Sequence, residues 1–440
     1  MRCLLVAIAV AATCCWPSSH ARTQVLVIGG TGNLAQKYLW PAFEALHARH
    51  DVELWAAGTD PPGVAAPRLA SIRPPSLPLH YAQLSTAADY AALAARPEWQ
   101  QDAGLVVYLA IPPTYFQATC ALIHTYLRHP SRPWLRVVVE KPFGHDLASA
   151  RALAAALAVD FDASELFLID HYLGKASVRG LDAFVSANAH WWSLPAATHV
   201  GIHMRETETC AGRTGFFNSV GIVRDVMVNH LTVLLLHAAG ASTEDDRKAL
   251  TQSLALQEVV HGQYQSYLAH ANTSHSTTAT AAAVQFARAP ATSIAISAAK
   301  AVAYRSTTMT WHARGVPNCT VRIVLQKGRD EGIVIDVCAA LSPQVQLPTG
   351  WVWASSTQLS PASTQLSPAS TQHDSAYTYL VDAILRGDRR YFMSVGDILH
   401  AWALWMPVLD QHAVPRVYTD ATPDDGFLHL AQRRALHDDL

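Results

Sequence analysis

The chain has 440 residues, half of them hydrophobic and 15% charged, with a net charge of −2. That length accommodates two domains with sizeable cores. The balance leaves no basic excess for nucleic acid, while still allowing one local basic pocket for a phosphorylated metabolite.

Arg2 precedes an apolar run, Cys3 to Cys14, and Ser19-His20-Ala21 offers small residues where a signal peptidase cuts. Residues 1–21 therefore read as a signal peptide, since the run is short of the roughly 20 residues a membrane anchor needs. The mature chain is expected to start near Arg22, with no membrane span left. His437-Asp438-Asp439-Leu440 differs by one conservative change from the HDEL retention address. The two ends together point to the endoplasmic reticulum lumen. Asn272-Thr273-Ser274 and Asn318-Cys319-Thr320 are glycosylation sequons that suit that compartment. Cys120, Cys210, Cys319 and Cys338 lack zinc-type spacing, so no metal site is expected, and their pairing stays open between disulfides and buried thiols.

In chain order, Thr23–Gly30 reads as a buried strand running into glycines, and Asn33–Ala48 as a helix. Further strands are predicted at Val52–Ala57, Leu105–Ala110 and Leu135–Glu140, with helices at Ala87–Ala95 and Leu147–Val159. This alternation indicates a doubly wound, Rossmann-like α/β domain over 22–170. Beyond it, strands at Thr198–Glu206, Ala282–Phe286, Thr320–Gln326 and Gly332–Cys338 follow without crossover helices. Helices are predicted at Val223–Ala239, Tyr377–Arg386 and Val395–Leu409. The second domain, 171–425, is thus α+β with a large, mostly antiparallel sheet and a ligand cleft at the domain junction. The tandem STQLSPA repeat within 354–373 reads as a low-complexity surface loop.

Four segments carry chemistry. Gly29-Gly30-Thr31-Gly32-Asn33-Leu34-Ala35 lies between strand and helix, where glycines let a dinucleotide pyrophosphate approach the helix N-terminus. After the second strand comes Asp60, with no arginine before Arg68. Asp60 is either a contact to a free ribose hydroxyl or a turn residue, which leaves NAD against NADP open. Lys141, at the carboxyl end of the fourth strand, either points toward the cleft, as the topology suggests, or is solvated surface. Asp170-His171-Tyr172-Leu173-Gly174-Lys175 gathers cationic and hydroxyl donors suited to a phosphate dianion, or else forms a polar hinge. In Arg224-Asp225-Val226-Met227-Val228-Asn229-His230, Asp225 and His230 stand about 140° apart on an α-helix. They reach one pocket only if Asp225 sits at or before the first turn.

The sequence resembles the glucose-6-phosphate dehydrogenase family, nearest to its lumenal hexose-6-phosphate dehydrogenase branch. WLRVVVEKPFGHDLASA (134–150), DHYLGK (170–175), ETETCAGRTGFF (206–217), GIVRDVMVNHL (221–231) and GQYQSY (262–267) carry the likeness, which continues through Lys300 and Arg305 to DAILRGDRRYF (382–392) and AWALWMPVL (401–409). The resemblance implies His230 as general base and Asp170 as the carboxylate orienting it. It implies phosphate contacts from His171, Tyr172 and Lys175, and sugar contacts from Glu206 and Asp225. Lys141 would bridge substrate and coenzyme, Lys300 and Arg305 would add basic contacts, and Phe116 stands where a tyrosine flanks the cofactor. Asn33 replaces the family's usual aspartate, Leu168 its arginine, and AKAVAYR its GKALNER; the asparagine and arginine expected after Trp191-Trp192 are lacking.

The activity so implied is oxidation of a hexose 6-phosphate at C1 with NADP, NAD being an alternative, by a homodimer. The branch also carries a lactonase domain, and this chain stops soon after the dehydrogenase region, so another hydrolase is expected to act on the lactone. Two rivals are an NAD-preferring hexose dehydrogenase and a pseudoenzyme that binds without turnover.

Overall fold

The computed structural model describes residues 22–328, 330–354, 363–369, 374–411 and 413–422. The expected signal peptide, the retention-like tail and most of the STQLSPA repeat lie outside the described residues.

Six strands form a parallel sheet: β1 (Thr23–Ile28), β2 (Val52–Gly58), β3 (His80–Gln83), β4 (Gly104–Leu109), β5 (Leu135–Glu140) and β6 (Leu166–Ile169). Their order is β3-β2-β1-β4-β5-β6, which reverses direction between β1 and β4. Ligands of such sheets bind beyond the carboxyl ends of the strands at that reversal. β1, β2, β4 and β5 are the continuous apolar runs expected of strands covered on both faces. β3 and β6 escape sequence reading because four residues are too few for a pattern. One face carries the helix Trp40–His47 and, from far along the chain, Ala376–Arg386, which pack Trp40, Phe43, Leu380 and Ile384 over the sheet. The other carries Ala87–Ala94, Phe116–Leu122 and Leu147–Asp160.

The second sheet has ten strands: β7 (Ala197–Arg205), β8 (Leu254–Tyr264), β9 (Ala281–Arg288), β10 (Thr292–Ala299), β11 (Ser306–Ala313), β12 (Thr320–Lys327), β13 (Asp330–Cys338), β14 (Trp351–Ala354), β15 (Ser363–Pro368) and β16 (Arg416–Tyr418). Among the described residues only β7 with β10 and β8 with β16 pair in parallel, so the sheet is mostly antiparallel as expected. The low-complexity reading needs correcting over its second repeat. β15 is that copy, paired with β13 and β14 and burying Leu366 completely. Its alternating Thr-Gln-Leu-Ser pattern satisfies a strand once a neighbouring edge offers hydrogen-bond partners, a condition invisible in composition.

Cys319 and Cys338 form a disulfide across the open end of the β12–β13 hairpin, while Cys120 and Cys210 are free and buried. One helix among the described residues, Thr214–Ala238, is long and apolar enough to cross a membrane, but two-thirds of its most apolar 18-residue stretch is buried inside the protein. Its apolar residues are core: Met227, Leu231 and Leu234 have no exposed surface.

Candidate active site

The glycine turn sits where β1 meets its helix. Gly29 has φ +90°, and a Cβ there would stand 2.2 Å from the Ala110 carbonyl oxygen; one on Gly30 would stand 2.7 Å from the Ala56 Cβ. Both amides donate to the Ala57 carbonyl, at 2.8 and 3.0 Å, which clamps the turn against the ends of β2 and β4. Gly32 in turn donates to the Gly29 carbonyl at 2.9 Å, and the first ladder bond runs from Gln36 N to Gly32 O at 3.0 Å, so the helix's own bonding leaves the amides of Asn33, Leu34 and Ala35 to an anion. A turn stripped of Cβ atoms beside such amides fits a dinucleotide pyrophosphate. Thr31, Gly32 and Leu34 are half-buried and Asn33 is exposed, whereas Ala35 is buried and serves packing. Phe116 has no exposed surface and packs in the core, so it presents nothing to a cofactor; the exposed ring beside it is Tyr115. Leu168 is likewise buried in β6.

Asp170 ends β6 and caps the short helix His171–Gly174 by accepting the Tyr172 amide at 2.9 Å. The same oxygen lies 2.6 Å from His230 Nδ1. On the far side of the imidazole, Lys141 Nζ stands 2.9 Å from Nε2. Lys141 also donates to the Asp225 carbonyl at 3.0 Å and pairs with its carboxylate at 3.8 Å. Asp225 and His230 thus face one pocket, for a reason an α-helical reading misses. Val223–Leu231 is a π-helix, whose i→i+5 bonds bring residues five apart onto nearly one face, and it follows a kink at Gly221, φ +64°. Asp225 also lies in its first turn.

Tyr172 lies flat against His230, ring centroids 4.3 Å apart, and Lys175 Nζ stands 4.3 Å from the centre of the Tyr172 ring. The Tyr172 hydroxyl points to Met204 Sδ at 3.5 Å, and His171 meets His230 edge-on at 4.7 Å. Lys300 pairs with Glu206 at 2.6 Å and Asp225 at 3.3 Å. Arg305 pairs with Glu208, and Lys175 with Glu331 at 3.6 Å. These residues line one cleft of about 890 Å³ between the two sheets. The structure therefore gathers Lys141, His171, Tyr172, Lys175, Glu206, Asp225, His230, Lys300 and Arg305 around one cavity, with Asp170 buried behind His230. Glu208, Glu331, Tyr38 and Tyr377 share that lining without having been anticipated. Glu331 comes from β13, more than a hundred residues from Lys175, and no local pattern marks it. Tyr377 stacks on Tyr38 at 4.8 Å and its hydroxyl reaches Glu140 at 3.4 Å.

The electrostatics suit a neutral base beside an ionised partner. Burial pushes the His230 imidazole below its ordinary range; Asp170 pulls it back up and Lys141 pushes it further down. Burial alone would raise Asp170, but His230 and its hydrogen bond hold the carboxyl well below the usual range. Asp170, His171 and His230 place donor atoms within 4.8 Å of one another, a spacing open to a cation. The Asp170–His230 bond and the Lys141 ammonium beside Nε2 suit proton transfer instead.

A glycine turn at the reversal of a parallel sheet is where dinucleotides bind in such folds, and the buried His230 lines a separate wall of the molecule's large cleft. Residues 76–180 match the profile "Glucose-6-phosphate dehydrogenase, NAD binding domain", and residues 186–426 match "Glucose-6-phosphate dehydrogenase, C-terminal domain". The chain belongs to the glucose-6-phosphate dehydrogenase family. The human "GDH/6PGL endoplasmic bifunctional protein" is 28% identical over 97% of this chain, which spans 64% of that relative's length. A Mycobacterium tuberculosis "Glucose-6-phosphate 1-dehydrogenase 2" is 44% identical over 29% of this chain and 26% of its own. A solved glucose-6-phosphate dehydrogenase in complex with glucose 6-phosphate shares the fold at TM-score 0.76 and 22% identity, covering 94% of this chain and 98% of its own. The Mycobacterium avium enzyme does so at 0.75 and 24%, covering 94% and 97%.

Proposed function

We propose that the protein oxidises a hexose 6-phosphate, glucose 6-phosphate foremost, at C1 to the 6-phospho-lactone with NADP as acceptor. The observation that carries this reading is the line Asp170–His230–Lys141 at the cleft wall. With Nδ1–H donated to Asp170, Nε2 is left as the acceptor, and the place now taken by the Lys141 ammonium is where a sugar hydroxyl would lie. His230 takes the C1 hydroxyl proton as the carbonyl forms. Asp170 fixes the tautomer and stabilises the imidazolium that results. Bound NADP supplies the hydride acceptor for the C1 hydrogen and its electron pair.

Substrate phosphate is held by Lys175, His171 and Tyr172, with Arg305 beside them. Because Lys175 and Arg305 are already paired with Glu331 and Glu208, phosphate binding exchanges one anion for another instead of neutralising bare charge. Glu206 and Asp225, both held by Lys300, orient the sugar hydroxyls. Lys141 bridges Asp225 and the base, and so ties the sugar's position to proton transfer.

The reading extends to the endoplasmic reticulum lumen and to a homodimer. The Cys319–Cys338 disulfide, favoured in oxidising compartments, and the human relative described as endoplasmic support the location. Nicotinamide absorbance, followed with four sugars and two cofactors, tests the chemistry. Turnover should require the 6-phosphate. Equal rates with glucose and glucose 6-phosphate would remove the phosphate role of Lys175, and no turnover with any hexose phosphate and either cofactor would overturn the reaction.

A further inference from the structure

β15 is the second copy of a tandem repeat: residues 356–362 and 363–369 both read STQLSPA. The contacts that hold β15 in the sheet are made by those repeated letters. Leu366 is fully buried in the core, and Gln365 Nε2 donates to Asp336 Oδ1 of β13 at 2.8 Å. Thr364 Oγ1 donates to Ser342 Oγ at 2.9 Å, and the Ala369 amide to the Gly350 carbonyl at 2.8 Å. In the first copy the corresponding residues are Leu359, Gln358, Thr357 and Ala362. The slot between β13 and β14 therefore meets the same side chain at each place, whichever copy fills it. A strand's register is normally specified by such side-chain differences, and here there are none.

The connections are left to decide, and they nearly cancel. Ala354 at the end of β14 pairs with Gln365, which leaves residues 355–364 to close that hairpin. Pairing with Gln358 would leave residues 355–357, a common hairpin loop length. On the other side, residues 370–374 join Ala369 to Ser375, the cap of the helix Ala376–Arg386, whereas residues 363–374 would join Ala362 to it. Loop closure weakens as the three-halves power of length, so the first side favours the first copy about sixfold and the second side favours the second copy about fourfold. Neither register wins by more than about twofold.

We propose that the slot between β13 and β14 takes either copy of the repeat, so that β15 exchanges between two registers one repeat apart. The exchange passes one repeat's length of chain from one side of the strand to the other. Ser375, Ala376 and Tyr377 line the cleft, and in the exchanged register they hang on the longer connection. β13, which brings Glu331 to Lys175, keeps a paired neighbour in both registers.

The test uses the full chain with Asp336→Cys and a second cysteine, Gln365→Cys or Gln358→Cys, under mild oxidation, with cross-links located by peptide mass mapping. Asp336 and Gln365 are register partners, so the first pair reads the register described above and the second reads the exchanged one. Both should cross-link, at early rates within about threefold of each other. Leu366→Asp, which puts a charge at the buried place of the second copy only, should abolish the Gln365 cross-link and leave the Gln358 one at least as fast. Leu359→Asp should do the reverse. Opposite shifts cannot come from a variant that merely fails to fold. Each leucine substitution alone should move Tm by less than about 2 °C, and the two together should lower it by about 5 °C or more. A Gln358 pair that stays unlinked even with Leu366→Asp overturns the exchange. So does a Tm change for Leu366→Asp as large as that of the double substitution, or a failure of both pairs to cross-link.

Discussion

Asp170 meets His230 through one short hydrogen bond of 2.6 Å, and that bond decides which ring nitrogen is left to act. Asp170→Asn keeps the shape but offers an amide in place of a charge, so kcat is expected to fall by about 10²–10⁴ with KM little changed. His230→Ala should lose at least as much, read in the same absorbance assay. The pH profile follows from the environment of the ring. Because burial, aided by Lys141, holds His230 below its ordinary value, the base stays neutral down through about pH 6.5 and the acid limb of kcat/KM lies beneath that. Lys141→Met removes a repelling charge and should move the limb upward. Glu140 behaves differently: burial raises it to about 7, against the hydrogen bonds from Tyr108 and Tyr377. A carboxyl that holds its proton more tightly when folded stabilises fully below its unfolded pKa, about 4.5, and loses that contribution as pH rises through 7. Glu140→Gln should therefore gain in Tm over wild type between those limits and hold the gain above them.

The elements that place these residues depend on close backbone contact. Gly174 closes the short helix after Asp170, and a Cβ there would stand 2.3 Å from the Ala376 carbonyl and 2.8 Å from Leu380 Cγ. Gly174→Ala must push the helix Ala376–Arg386 away, at a cost of about 1–3 kcal/mol. Since His171, Tyr172 and Lys175 flank that contact, KM for the sugar phosphate should rise along with the loss in Tm. An unchanged KM would show that the helix absorbs the strain without passing it to the site. The π-turn at Val223–Leu231 matters in the same way, because an α-helical continuation would carry Asp225 and His230 apart.

At the scale of the whole molecule, the C-terminal helices close the structure. Ala376–Arg386 covers the first sheet, and Trp405 of Val395–Leu409 packs on Phe286 of the second, so the cleft is walled by a chain that returns to both. The disulfide sits at the far end of β13 from Glu331, about 23 Å along the strand. The double substitution Cys319→Ser, Cys338→Ser should cost about 3 kcal/mol, for a sequence separation of 19 residues, while kcat/KM with hexose phosphate stays unchanged. A thiol-alkylating reagent should leave Cys120 and Cys210 unmodified until unfolding, since both are buried.

What the sequence determined by itself is local. Long apolar runs specified β1, β2, β4 and β5, and glycines before a helix marked the turn, because strand burial and a missing Cβ are written in consecutive residues. The cluster Asp170-His171-Tyr172-Lys175 was legible for the same reason, though a clamp and a hinge looked alike until the family resemblance separated them. Tertiary structure decided what depends on distant partners. It brought Glu331 to Lys175, folded Ser363–Pro368 into a strand by offering it two edges, paired Cys319 with Cys338, and withdrew Phe116 into the core. It also wound Val223–Leu231 as a π-helix, a choice that bonds five residues apart make and that spacing alone does not reveal. Asp60 shows the boundary between the two. Its chemistry could be read from one letter, but only the fold set Arg68 beside it.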